Sequence, residues 1–277
     1  MNAHLPHPTI AEDLARLEST LRRYGPTVTA FSGGVDSTLV AVVAARVHGE
    51  RALAVTGVSP SLAESERAFA SRVAAELGLR HRLVDTHEIE RAGYQANAGD
   101  RCYHCKTELF ERLVVLAKAE GFACVVSGDN LDDLGGHRPG MLAAEENAVR
   151  KPLIEAELGK DQIRALARHL GLPNHAKPAA PCLASRVPAG TRVDAKVLAM
   201  VEAAEAGVRA QGFAVFRVRH HGEVARIEVP AADLPRAIER RVELIAACKR
   251  AGYLFATLDL SGFRSGSLNV LNPKVRS

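Results

Sequence analysis

The sequence predicts an α/β protein, a doubly wound parallel sheet followed by a smaller C-terminal α/β domain. Three observations carry the prediction. Short β-favouring runs alternate with helical stretches through the first half of the chain. A glycine turn, Ser32-Gly33-Gly34, stands between the first strand and its helix. The length of 277 residues, 47% of them apolar, is enough to bury one large core or two modest ones. The expected division is residues 1–186 and 187–277.

Each element has its own signal. Residues 8–23 carry Ile10, Leu14, Leu17 and Leu21 at helical spacing, with Thr9 and Glu12 as a capping box. Residues 27–31 form a strand after the Gly25-Pro26 breaker, and the Ala-rich run 39–45 reads as a buried helix. Residues 51–57 give a second strand, Ser61 with Glu64 a capping box for a helix reaching Leu77, and 79–84 a third strand. A helix over 107–120 and a fourth strand over 123–127 follow, and 149–153 with a helix over 160–169 close the first domain. Residues 172–182 contain Pro173, Pro178 and Pro181 and fit neither regular helix nor central strand. Beyond Gly190 the pattern reads helix 193–211, strands 214–220 and 223–229, helix 231–250 and strand 252–260.

Composition narrows the function. The 36 basic and 32 acidic residues leave a net charge of +4 without a long run of one sign, which suits a small anionic substrate. With 4% aromatic residues and no Trp there are few stacking platforms, so nucleic acid is not the expected partner. Apolar runs are too short to span a bilayer and Met1–Pro6 shows no secretory signal pattern, so no membrane association and a cytoplasmic location are expected. Five cysteines, an odd number, argue for thiol or metal chemistry over a disulfide framework.

The stretch Ser32-Gly33-Gly34-Val35-Asp36-Ser37-Thr38 has the chemistry of a phosphate cradle. Its glycines let the backbone turn and approach a ligand, and the opening N–H groups of the next helix, with the hydroxyls of Ser32, Ser37 and Thr38, face an anion. No Lys follows the glycines, so terminal-phosphate hydrolysis of the Walker type is not expected. Asp36 reads as a Mg²⁺ partner or a brace for the loop. Gly128, Asp129 and the polar, glycine-rich residues through Gly140 leave the carboxyl end of the fourth strand, on the same edge, and are expected to line the cleft. Ser-Gly-Gly-Val-Asp-Ser resembles the signature of PP-loop ATP pyrophosphatases, with their adenine nucleotide alpha hydrolase-like fold. That resemblance implies ATP binding by residues 32–38, Gly128 and Asp129, and transfer of the adenylyl group.

Cys102-x-x-Cys105 alone is compatible with half a zinc knuckle, a redox pair at a helix N-terminus that Thr107 would cap, or two unrelated thiols. Cys182, in Cys182-Leu183-Ala184-Ser185-Arg186, sits beside a guanidinium that favours thiolate and makes a three-thiolate cluster site conceivable. Cys124 and Cys248 read as core fillers. Arg217 and Arg219 alternate on one strand, share a face and call for an anion.

Over nearly its whole length the chain resembles the LarE family of PP-loop ATP-dependent sulfur transferases, which prepare the nickel-pincer nucleotide cofactor of lactate racemase. The matching pieces are Ser32 to Thr38, Arg101-Cys-Tyr-x-Cys-Lys106, Ser127-Gly-Asp-Asn-Leu-Asp-Asp133 with Arg138-Pro139-Gly140, Lys177-Pro178 through Arg186, and Phe216-Arg-Val-Arg219. Asn174-His175-Ala176 departs from a pattern that is more aromatic and acidic. The resemblance implies adenylylation of the carboxylates of a pyridinium dicarboxylate mononucleotide with ATP and Mg²⁺, then conversion to thiocarboxylates. Cys182, Asp36, Ser185 and Arg186 are the implied catalytic residues, and Arg217, Arg219, Glu205, Glu228 and Arg138 the implied substrate contacts. Some members sacrifice the cysteine matching Cys182. Others resemble enzymes with a [4Fe-4S] cluster on three thiolates, here Cys102, Cys105 and Cys182, and the latter type is expected. A homo-oligomer and a sulfide or cysteine desulfurase donor are implied as well. The alternatives are sacrificial sulfur transfer without a cluster, a PP-loop tRNA thiolation enzyme that also uses three cysteines, and a non-enzymatic nucleotide-binding module.

Overall fold

A computed structural model describes residues 9–135, 139–264 and 266–268. In chain order the elements are α1 (Ile10–Tyr24), β1 (Thr27–Ala30), α2 (Val35–His48), β2 (Ala52–Val58), α3 (Glu64–Glu76), β3 (His81–Asp85), α4 (Ala92–Ala96), α5 (Arg101–Ala119), β4 (Cys124–Val126), α6 (Pro139–Glu146), α7 (Pro152–Glu155), α8 (Lys160–His169), α9 (Ala195–Ala210), β5 (Arg217–His221), β6 (Val224–Glu228), α10 (Leu234–Glu239), α11 (Arg241–Arg250) and β7 (Phe255–Leu258). They pack as two units. One comprises Met1–Val58, Glu64–Thr86 and Cys102–Ala180, the other Ser59–Ala63, His87–Arg101 and Pro181–Ser277. The chain thus enters the second unit twice before its C-terminal third does. The division at residues 186 and 187 stays a proposal about independently folding domains.

The first unit is the expected α/β layer structure. Its sheet is parallel throughout, in the order β3-β2-β1-β4. Strand order reverses at β1, which pairs with β2 on one side and β4 on the other, so a crevice opens at the carboxyl ends of β1 and β4. α2 runs off that edge and is apolar almost all round. Leu39, Val40, Val43 and Ala44 are fully buried, which is why the Ala/Val-rich run is helical without being amphipathic. Leu17 and Leu21 of α1 and Ile163 and Leu166 of α8 pack with it in one cluster. Thr9 and Glu12 close the expected capping box on α1.

In the second unit β5 and β6 form an antiparallel hairpin and β7 adds parallel to β6. Phe213, Val218, Ala225, Ile227, Cys248 and Tyr253 fill its core. Asn97 fastens the 87–101 excursion there. In left-handed backbone at φ +51°, it donates from Nδ2 to the carbonyls of Pro188 (2.7 Å) and Thr191 (3.0 Å).

The Ser61 hydroxyl donates to Glu88 at 2.6 Å. Two expectations change. α5 starts six residues before Thr107, whose hydroxyl donates back to the Tyr103 carbonyl from inside the helix (2.9 Å). The continuous helix over 231–250 is a 3₁₀ turn, Ala231–Asp233, followed by α10 and α11, broken at Arg240. Pro235 lies in the first turn of α10, where its missing N–H costs nothing.

Candidate functional site

The loop from β1 to α2 is built to hold an anion. Gly33 has φ +69°, and a Cβ there would stand 2.9 Å from the Ala70 Cα, so only glycine lets the turn lie against α3. Gly34 caps α2, leaving the first-turn N–H groups pointing out of the helix. The Ser37 hydroxyl ties the turn together: it donates to the Gly34 carbonyl (3.1 Å), accepts from the Ser32 amide (3.2 Å), and lies 3.1 Å from the Ser32 hydroxyl. Ser32 itself is exposed.

Gly128, at the end of β4, closes the other wall. A Cβ on it would meet the Ser37 amide nitrogen at 2.8 Å and the Asp36 carbonyl carbon at 3.1 Å. Backbone therefore rests on backbone across the switch point. Beside it the Ser127 hydroxyl donates to Asp129 (2.5 Å), and Asn130 and Asp133 form a capping box around the 3₁₀ turn Leu131–Leu134.

Two residues that the sequence reading did not single out as loop contacts brace it. Lys160, at the start of α8, places Nζ 2.7 and 2.6 Å from the two carboxylate oxygens of Asp36, and its own amide donates to Asp132 at 2.5 Å. A cation thus stands at the loop, brought from 124 residues away and not from the Walker position. Asn174, 2% exposed, donates from Nδ2 to the Gly33 carbonyl and to the Thr38 hydroxyl, each at 2.8 Å. The Thr38 hydroxyl, expected to face the anion, is fully buried and receives Asn174 instead. The segment that departs from the family pattern is thus the one clamping the loop. Lys177 anchors the same segment through Glu66 (2.6 Å) and over the Phe69 ring (3.6 Å to its centroid).

Cys102 and Cys105 lie on the first turns of α5, three residues apart and on one side of the helix. Cys102 is exposed and Cys105 half-buried, and all five cysteines are thiols. Burial pushes the thiols of Cys124 and Cys248 up to about 11, in keeping with core packing. Among the described residues no group of three or more His, Cys, Asp or Glu side chains is placed to hold a metal ion.

In the second unit Cys182 is exposed and caps the 3₁₀ turn Leu183–Arg186. Arg186, 6% exposed, spends its donors on that turn and on one carboxylate. Nη1 donates to the carbonyls of Pro181 (2.6 Å) and Cys182 (3.0 Å) and to the Ser185 hydroxyl (3.0 Å), while Nε and Nη2 bind Glu205 at 2.8 and 3.1 Å. Glu205 also accepts from the Val218 amide (3.2 Å). Arg219 is buried against the fully buried Glu228 (2.8 Å) and donates to the Ser185 carbonyl (3.1 Å). Cys182, Ser185, Arg186, Glu205, Arg219 and Glu228 therefore form one connected network.

Arg217 differs from its neighbours. Its Nη1 donates to the Phe216 carbonyl at 2.6 Å and its guanidinium lies 5.2 Å from the Phe263 ring centroid, with no carboxylate within ion-pair distance among the described residues. Burial first, and then the Arg186 guanidinium, lower its pKa from the ordinary arginine value. Such a site is short of negative charge. Arg138 lies outside the described residues.

A doubly wound sheet carrying this lysine-free glycine cradle at its switch point defines a PP-loop nucleotide-binding domain, and residues 16–129 match the asparagine synthase family. The chain is 42% identical over 260 residues to an uncharacterized protein of Synechocystis sp., covering 92% of this chain and 97% of that one. It is 36% identical over 262 residues to the pyridinium-3,5-bisthiocarboxylic acid mononucleotide synthase of Lactiplantibacillus plantarum, covering 94% and 95%. An uncharacterized protein of Methanocaldococcus jannaschii is 28% identical over 238 residues, covering 86% and 90%. The chain belongs to the LarE family of PP-loop sulfurtransferases and is an enzyme. Among the described residues no helix is long and apolar enough to cross a membrane.

Proposed function

We propose that the enzyme adenylylates the carboxylates of a pyridinium dicarboxylate mononucleotide and converts them to thiocarboxylates for nickel-pincer cofactor synthesis, acting in the cytoplasm as a homo-oligomer. The observation that carries the reading is the Ser32–Thr38 cradle walled by Gly128, with Lys160 as its cation. A carboxylate is a poor electrophile, and an adenylyl group turns one of its oxygens into a leaving group that sulfur can displace. The N–H groups opening α2 offset the charge developing on pyrophosphate; Asp36 would hold Mg²⁺, which would supply further charge neutralisation there, and Lys160 stands beside that carboxylate as a second cation for the phosphates. In the second unit Arg217 takes the substrate's phosphate, while Arg219, Glu205 and Glu228 hold the network around it.

The thiols of Cys102, Cys105 and Cys182 suit a [4Fe-4S] cluster by donor chemistry: two share a helix side and the third stands exposed on its turn. Such a cluster, bound by three thiolates, would carry a sulfide supplied as free sulfide or by a cysteine desulfurase and so spare the protein's own sulfur. These residues' part is to supply ligands and to present Cys182 on a turn fixed by Arg186.

With substrate and Mg²⁺, AMP and pyrophosphate accumulate and thiocarboxylate forms; ADP with orthophosphate refutes adenylylation. Protein reconstituted without oxygen binds iron, and Cys102→Ala, Cys105→Ala and Cys182→Ala lose it while Cys124→Ala and Cys248→Ala keep it. A single turnover that leaves dehydroalanine at residue 182 with iron bound would establish the sacrificial route instead.

A further inference from the structure

Glu88 is 1% exposed, and no cation pairs with it among the described residues. Its Oε1 accepts from the Ser61 hydroxyl (2.6 Å) and, through a shorter contact, from the Ser59 hydroxyl. Its Oε2 is buried with no hydrogen-bond partner. Leaving one oxygen of a buried carboxyl group unpaired is unfavourable, so the fold keeps it at the expense of stability. Glu88 organises one short turn. The Ser61 amide donates to the Ser59 hydroxyl at 3.2 Å and the Leu62 amide to the Ser59 carbonyl at 3.0 Å, so Ser59-Pro60-Ser61 is folded around the carboxylate.

What that turn carries is the Ser61 carbonyl, which accepts the amide of Leu183 at 2.9 Å. Leu183 follows Cys182 and is itself buried. The segment bearing the exposed thiol is thus gripped on its amide side by Ser61 and on its carbonyl side by Arg186. All of these residues belong to the second unit.

We propose that Glu88 is a positioning residue for the Cys182 thiol, acting through the Ser59–Ser61 turn. The proposal rests on the reading of Cys182 as the sulfur-handling thiol. Glu88→Ala removes the post, while Glu88→Gln keeps an acceptor for both hydroxyls and places the amide nitrogen at the unpaired oxygen's position.

The test compares Glu88→Ala, Glu88→Gln and Ser61→Ala in the full-length enzyme, with far-UV circular dichroism and thermal midpoints confirming the fold. In Glu88→Ala the Leu183 amide exchanges hydrogen roughly tenfold faster, the equivalent of one lost buried hydrogen bond. Its kcat for thiocarboxylate formation falls by a similar factor, while the KM for ATP stays within about twofold because the cradle is in the other unit. Glu88→Gln restores both, and Ser61→Ala moves both in the same direction, which keeps the proposal open to refutation if Glu88→Ala does not fold. Wild-type exchange at Leu183 in folded Glu88→Ala, unchanged kcat despite faster exchange, or a Glu88→Gln as impaired as Glu88→Ala overturns it. Should wild-type protein form no thiocarboxylate, the functional reading fails, and the exchange of Leu183 with the iodoacetamide labelling rate of Cys182 in the same variants decides the role of Glu88.

Discussion

Gly128→Ala tests whether the two walls of the cradle are one device. The added Cβ would stand 2.8 Å from the Ser37 amide nitrogen and 3.1 Å from the Asp36 carbonyl carbon and the Ser37 Cα. The first distance is about 0.6 Å short of ordinary van der Waals contact, and every atom met is backbone, so no side chain can rotate away. Either the β4 loop or the opening turn of α2 must move by several tenths of an ångström. Overpacking of this kind costs about 1–3 kcal/mol, which lowers the thermal midpoint by several degrees. Displacing the donors that meet the phosphates costs more in function. Misplacement approaching 1 Å reduces rate about a hundredfold, so ATP-dependent AMP formation should fall on the order of tenfold to a hundredfold. Calorimetric titration of Mg·ATP and a pyrophosphate-release assay read binding and turnover separately. A folded Gly128→Ala enzyme with wild-type ATP affinity and turnover would refute the cradle geometry.

Asn174→Ala should cost about 1–3 kcal/mol by leaving the Gly33 carbonyl without its buried donor, and should raise the KM for ATP; equal stability and KM in variant and wild type would rule out the clamp. Arg217→Ala should fold normally and bind the mononucleotide roughly 10 to 100 times more weakly with ATP affinity unchanged, as charge-assisted contacts to a phosphate are lost; equal weakening of both ligands would place the residue elsewhere. Arg219→Ala should lose about 3–5 kcal/mol, moderated by Arg226 at 3.2 Å from Glu228, because it strands a fully buried carboxylate. Iodoacetamide at pH 8 should label Cys102 and Cys182 and spare Cys248, whose thiol titrates near 11. A folded-state pKa above the ordinary thiol value of 9.0 means that Cys248 favours folding fully below pH 9 and loses that contribution as pH rises through about 11, so Cys248→Ala should flatten the alkaline decline in stability.

The sheet and the cradle were legible because their signals are local. Strand, glycine turn and buried helix lie within residues 27–48, and period and backbone permissiveness can be read directly there. The bracing of the cradle was not. Asn174 lies 141 residues from Gly33, and Lys160 lies 124 from Asp36, and no periodicity encodes such pairings. The Ser61 hydroxyl's donation to Glu88, 27 residues away, is equally invisible to periodicity. Thr107 was misread as a cap because Arg101-Cys-Tyr-His-Cys-Lys has no strong helix formers beyond its charged ends, yet packing continues α5 through it.

The arrangement around Cys182 bears on how its sulfur becomes reactive. From sequence, Arg186 looked like the group that would favour the thiolate. In the structure its charge is met by Glu205 at 2.8 Å, and its remaining donors point at the Pro181 and Cys182 carbonyls and the Ser185 hydroxyl. A neutralised guanidinium bonded to the backbone offers little electrostatic help to a thiolate beside it. What it offers is position: with the Ser61 carbonyl holding the next amide, the Cys182 backbone is fixed while its side chain stays exposed. A fixed position would suit a thiol that coordinates a cluster, since coordination itself would remove the proton. A sacrificial thiol would instead attack the adenylylated carboxylate, displacing AMP, and then lose its sulfur from Cβ. Alkylation of Cys182 separates the two cases. Iron-free protein should be labelled at Cys182, and iron loading should suppress that labelling. Labelling of Cys182 that bound iron leaves unchanged would show that this thiol is not a cluster ligand and would favour sacrificial chemistry.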